Sequence, residues 1–121
     1  MLVLAEDESL VRWFASDFLD EAGFKVFESC HAEEALTLLG SRPDVLVLMT
    51  DVEMGTGMNG FELAREVHER WPGVVIVVVS GRASPGSHDL PDGAVFISKP
   101  YMPSVVVQVI RDRLQRPNPV A

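Results

Sequence analysis

A chain of 121 residues is long enough for one domain with a core of its own. Its 18 acidic residues against 10 basic ones leave a net charge of −8, which argues against a nucleic-acid-binding surface, since that needs a basic patch, and suits a basic protein partner or a bound cation. The single cysteine, Cys30, excludes an internal disulfide and a Cys-rich metal site, and no apolar stretch approaches the roughly 20 residues that span a membrane, so a cytoplasmic protein without membrane contact is expected.

Leu2 to Ala5 reads as a first strand, with Glu6-Asp7-Glu8 at its end. Val11, Phe14, Phe18 and Ala22 recur at helical spacing and predict a helix from Ser9 to Ala22, stopped by Gly23. Phe24 to Glu28 is a second strand. Ala32, Ala35, Leu36 and Leu39 mark a second helix, ended by Gly40 and Pro43. The run Val45-Leu46-Val47-Leu48-Met49-Thr50-Asp51 is the most informative in the chain: five apolar residues predict a strand buried on both faces, and it ends in a carboxylate.

A glycine-rich loop from Met54 to Gly60 follows, with Met54 and Met58 as loop anchors. Leu63, Ala64, Val67 and Trp71 trace a third helix, stopped by Pro72-Gly73. Val74 to Val79 is the most β-branched stretch and predicts a fourth buried strand. From Ser80 to Gly93 two prolines and three glycines leave too few apolar positions for a full helix, so a loop with at most one or two helical turns is expected. Ala94 to Ser98 is a fifth strand, and Pro103 opens a last helix with Val106, Val109, Ile110 and Leu114 on its buried stripe.

Strands that alternate with helices imply a doubly wound, five-stranded parallel sheet with helices on both faces. In such sheets chemistry collects beyond the carboxyl ends of the strands. There the chain offers Glu6 and Asp7 after strand one, Asp51 after strand three, Ser80 after strand four and Lys99 after strand five. A strand order of 2-1-3-4-5 would crowd three carboxylates into one pocket, and crowded carboxylates need a proton or a cation. All the donors are hard oxygens, which selects Mg²⁺. Its expected ligands are Asp7, Asp51 and the backbone carbonyl of Glu53, with Glu6 acting directly or through water. Such a metal site would prepare Asp51 as a nucleophile toward a phosphoryl group, with Lys99 and Ser80 stabilising the oxygens in transfer.

Five segments, in order and at the right spacing, carry a resemblance: Leu-Val-Leu-Ala-Glu-Asp-Glu at 2–8, Val-Leu-Met-Thr-Asp-Val-Glu-Met at 47–54, Asn-Gly-Phe-Glu-Leu at 59–63, Val-Val-Val-Ser-Gly at 77–81 and Ile-Ser-Lys-Pro-Tyr at 97–101. The chain resembles the receiver domain of two-component response regulators, a flavodoxin-like fold. The resemblance implies a phosphoryl group delivered to Asp51 by a histidine kinase or histidine phosphotransfer protein, with no enzymatic turnover beyond self-phosphorylation and slow autodephosphorylation. It further implies a switch pair at Ser80 and Phe96, and access-modulating positions at Glu53 and Arg82, which are expected to pair across the mouth of the site.

The chain departs from the family pattern in three places. Glu6 replaces the usual first Asp, Gly55 stands where Pro is frequent, and the fourth helix is shortened or missing. The expected organisation is a receiver domain over 1–116 and a tail over 117–121. A stand-alone regulator, a phosphate shuttle and a receiver excised from a hybrid kinase stay open. Two rivals are a non-phosphorylated pseudo-receiver that only docks partners, and an Asp-nucleophile phosphohydrolase, which would want a second Asp where Glu53 stands.

Overall fold

Val47, Leu48, Met49, Val77 and Val78 lie in the two central strands and are sealed from solvent. The computed structural model describes residues 1–55, 57–82, 86 and 90–115. Its elements are β1 (Leu2–Ala5), α1 (Ser9–Glu21), β2 (Val26–Ser29), α2 (Ala32–Ser41), β3 (Val47–Asp51), α3 (Gly60–Arg70), β4 (Val75–Ser80), β5 (Val95–Ser98) and α4 (Pro103–Gln115). The five strands form one sheet in the order β2-β1-β3-β4-β5, every neighbouring pair parallel. Among the described residues there are four helices, and none of them lies between β4 and β5.

Successive strand residues point to opposite faces, and this divides the core in two. Val3, Ala5, Leu48, Ile76 and Val78 meet Ala32, Ala35 and Leu39 of α2 and Leu63, Ala64 and Val67 of α3. Leu2, Leu4, Val47, Met49, Val77 and Val79 meet Ala15 and Leu19 of α1 and Val106 and Ile110 of α4. A fully buried aliphatic side chain of this kind contributes about 1.5–3 kcal/mol relative to exposure, so the two half-cores hold the helices on both faces.

The helix starts follow local chemistry. The Asn59 side chain accepts from the Glu62 N–H at 2.9 Å while Glu62 accepts from the Asn59 N–H at 3.0 Å, a reciprocal cap at the head of α3. His31 Nδ1 accepts from the Glu34 N–H at the head of α2.

Several expectations are corrected by packing. Leu46 lies just before β3 and is 52% exposed, so the buried run is shorter than its composition suggests. Its backbone is still satisfied, since its N–H donates to the Met1 carbonyl and its carbonyl accepts from Val75. On α1 the fully buried residues are Ala15 and Leu19, whereas Phe14 is exposed and meets the edge of Phe18 at 5.5 Å between ring centres. The small Ala15 lets the helix approach the sheet, and the bulky ring is left at the rim. Leu114 is likewise exposed. Cys30, just past β2, is exposed. The expected tail at 117–121 lies outside the described residues, as do residues 83–85 and 87–89 of the loop predicted between β4 and β5.

Candidate functional site

Strand register builds the site. Ala5 stands level with Thr50, and Asp51 with Val79, so Glu6 leaves β1 beside Asp51 at the end of β3. Ser80 stands level with Ser98, so Lys99 leaves β5 just past Ser80. The Lys99 N–H donates to the Ser80 carbonyl at 2.8 Å, which holds that strand end in place. The Lys99–Pro100 peptide is cis.

Asp51 is the buried centre of the group. Lys99 Nζ lies 3.2 Å from Asp51 Oδ2 and 3.6 Å from Glu6 Oε1. The other carboxylate oxygen, Asp51 Oδ1, is buried with no hydrogen-bond partner among the described residues. A lone buried acceptor costs free energy unless something meets it. Glu6 is buried as well. Its burial pushes its carboxyl up to about 7; the hydrogen bond from the Glu8 N–H opposes the shift, the Asp51 charge adds to it, and Lys99 opposes it. Asp7 is exposed, and a Cβ on Gly55 would lie 3.2 Å from its Oδ2, so this carboxylate reaches over the loop after β3.

The expected convergence of three carboxylates is thus reached by Glu6 and Asp51, with Asp7 at the rim. Among the described residues no three His, Cys, Asp or Glu side chains gather tightly enough to hold an ion by themselves. The donor set nonetheless fits Mg²⁺, which keeps several waters and takes only one or two carboxylates. The buried Asp51 oxygen that has no hydrogen-bond partner among the described residues is the feature that such an ion would satisfy.

Glu53 and Arg82 do not pair with each other among the described residues. Glu53 meets Ser80 instead, whose hydroxyl lies 3.0 and 2.9 Å from its two carboxylate oxygens, and Arg82 reaches the same serine only through its backbone N–H, which donates to Ser80 Oγ at 3.1 Å. The correction has a simple cause. A buried serine hydroxyl needs an acceptor more than an exposed arginine needs a counter-ion. Phe96 is half-buried and stacks on Phe61 of α3 at 6.3 Å between ring centres.

Three supporting residues escape a reading of strand ends. Arg12 Nη1 on α1 donates to the Glu6 carbonyl at 2.9 Å and its Nε lies 3.3 Å from Glu28, which ties the acidic turn to helix and sheet. Gly60, at the first position of α3, sits so close to the chain that an added Cβ would collide with the Asp51 carbonyl oxygen. Tyr101 has its phenol pushed up to about 12 by burial and by the charges of Glu6 and Asp51. Gly60 carries a local sequence signal, a glycine directly after a capping Asn, and Tyr101 closes the Ile-Ser-Lys-Pro-Tyr segment.

An all-parallel sheet with carboxylates and a lysine gathered at the β1–β3 switch point defines the class of open α/β proteins that act at their carboxyl edge. Comparison with known proteins narrows the class to a family. The family model described as response regulator receiver domain matches residues 2–111, and the chain belongs to that family. It is 36% identical over 104 residues to the response regulator receiver protein CpdR of Brucella abortus, covering 83% of this chain and 84% of that protein. It is 32% identical over 120 residues to the hydrogenase transcriptional regulatory protein HoxA of Cupriavidus necator, where it spans 94% of this chain but only 24% of the relative. Among solved structures, a response regulator receiver protein from Sinorhizobium medicae superposes with a TM-score of 0.85 at 26% identity, covering 93% of this chain and 92% of that one. The NtrX receiver domain of Brucella abortus shares the fold, with a TM-score of 0.86 at 21% identity over 97% of this chain and 100% of that one. Receiver domains of this family are in general Mg²⁺-dependent phosphoacceptors that work with histidine kinases and downstream effectors. No helix among the described residues is long and apolar enough to cross a membrane.

Proposed function

We propose that this receiver takes a phosphoryl group onto Asp51 from the phosphohistidine of a histidine kinase or histidine phosphotransfer protein, and passes the signal on by changing what it binds. The observation that carries the reading is Asp51 itself: a buried carboxylate at the end of the central strand, with Lys99 at 3.2 Å on one oxygen and, among the described residues, no hydrogen-bond partner on the other. An Asp51 oxygen attacks phosphorus, the P–N bond to the donor imidazole breaks, and the imidazole leaves with the electron pair. Lys99 is within reach to balance charge on a transferred oxygen, and the Ser80 hydroxyl is the neutral donor nearby.

Asp7, Asp51 and the Glu53 carbonyl would hold Mg²⁺, with Glu6 beside them. When bound, the ion would offset charge on the carboxylates and on one phosphoryl oxygen. In this reading the domain has no turnover beyond its own phosphorylation and slow autodephosphorylation. It works in the cytoplasm, and its acidic surface takes no nucleic acid.

Incubation with Mg²⁺ and acetyl phosphate, followed by intact-mass measurement, tests the reading. One phosphoryl adduct that is lost in Asp51→Ala supports it. Steady release of phosphate without an adduct would mark a hydrolase, and no reaction at all would mark a pseudo-receiver.

A further inference from the structure

Ser80 sits at the end of β4, beside the acceptor, yet its hydroxyl is already engaged. Its Oγ lies 2.9 and 3.0 Å from the Glu53 carboxylate oxygens. A carboxylate can only accept, so in this bond the serine proton is directed at Glu53. The Arg82 N–H donates to the same oxygen and holds it in that orientation. Donation to a phosphoryl oxygen on Asp51 requires this proton to turn away from Glu53.

Resting on the reading of Asp51 as acceptor, we propose that Glu53 is a latch on Ser80, a positioning residue that holds the serine hydroxyl in the unphosphorylated protein and yields it when the phosphoryl group arrives. The chemistry gives the latch its direction. A phosphoryl group brings a charge of about −1.5 to −2 to a position that held a single carboxylate charge. Glu53 is two residues from Asp51 and only half-buried, so its carboxylate is repelled and has solvent to turn into. The freed hydroxyl then finds a stronger acceptor in the phosphoryl oxygens. Glu53 therefore raises the free energy needed to bring Ser80 to the acceptor, and its side chain sets how readily the resting protein converts. This role uses the carboxylate and is separate from any role of the Glu53 backbone carbonyl.

A double-mutant cycle on the full chain tests the latch, read as the affinity for beryllofluoride with excess Mg²⁺, followed by fluorine NMR. The four proteins are the parent, Glu53→Ala, Ser80→Ala and the double variant. A hydrogen bond to a charged acceptor at a half-buried position is worth about a factor of ten, so Glu53→Ala should bind beryllofluoride about tenfold tighter than the parent. In the Ser80→Ala background the same substitution should gain less than about threefold, since only the loss of charge repulsion is left. An equal gain in both backgrounds overturns the latch, because repulsion alone would then explain it, and no gain in either overturns it too. A parent that takes no beryllofluoride on Asp51 overturns the acceptor reading and the latch with it. Where Glu53→Ala melts below the assay temperature, Glu53→Gln replaces it in the cycle, with a weaker neutral acceptor and a smaller gain that must likewise vanish with Ser80→Ala.

Discussion

Glu6→Gln should stabilise the metal-free protein, and do so only as pH rises. In the fold, Glu6 is buried beside Asp51 and its carboxyl is pushed up from 4.5 to about 7. The unfolded chain releases this proton near 4.5 while the folded chain keeps it to about 7. Stability is therefore fully present below about 4.5 and is lost as pH rises through about 7. Each unit of difference corresponds to roughly 1.4 kcal/mol, and the value of about 7 already includes the opposing charge of the Lys99 ammonium 3.6 Å away. A total loss of about 1–3 kcal/mol by pH 8 follows. Glutamine keeps an oxygen to accept from the Glu8 N–H and removes the ionisation. The stability of the variant minus that of the parent should thus grow by about 1–3 kcal/mol between pH 4.5 and pH 8 in the presence of EDTA, or roughly 3–5 °C in melting temperature for each kcal/mol. Urea denaturation at the two pH values measures it. A difference that does not change with pH, or that falls as pH rises, would show that burial of this acid is not what limits the metal-free fold. Added Mg²⁺ should then stabilise the parent more than the variant, since a ligand that binds only the folded state raises stability by mass action.

Gly60→Ala drives a Cβ into the Asp51 carbonyl and to within 2.8 Å of Val52 Cα, all backbone that cannot turn aside; a loss of about 2–3 kcal/mol in urea, together with lost beryllofluoride binding, is expected. Lys99→Ala leaves two buried carboxylates without their cation, and should cost about 1–3 kcal/mol at pH 8, less at pH 5, and remove most phosphoryl uptake by intact mass. Asn59→Ala breaks the reciprocal cap of α3 and should cost about 1 kcal/mol by thermal melting while leaving the acceptor's chemistry in place.

The order of elements was legible in the chain because apolar spacing reports directly on what a strand or helix buries. The runs at Leu2–Ala5 and Val75–Ser80 and the gap in the pattern before β5 needed nothing beyond local chemistry. Hence the parallel sheet and the family could be read before any coordinate. Which stripe of α1 is buried could not be read, because two neighbouring stripes of that helix are apolar and only contact with the sheet decides that Ala15 and Leu19 rather than Phe14 face the core. The same limit applies to the site. That Asp51, Glu6 and Lys99 sit at strand ends follows from sequence, but their mutual distances follow from register, which couples residues 45 and more positions apart. The turn of Ser80 toward Glu53 rather than of Glu53 toward Arg82 was settled by burial, since a hydroxyl closed off from water takes the nearest strong acceptor. Sequence determines which groups are present and on which edge; only the closed structure decides which of them are dry enough to bind one another.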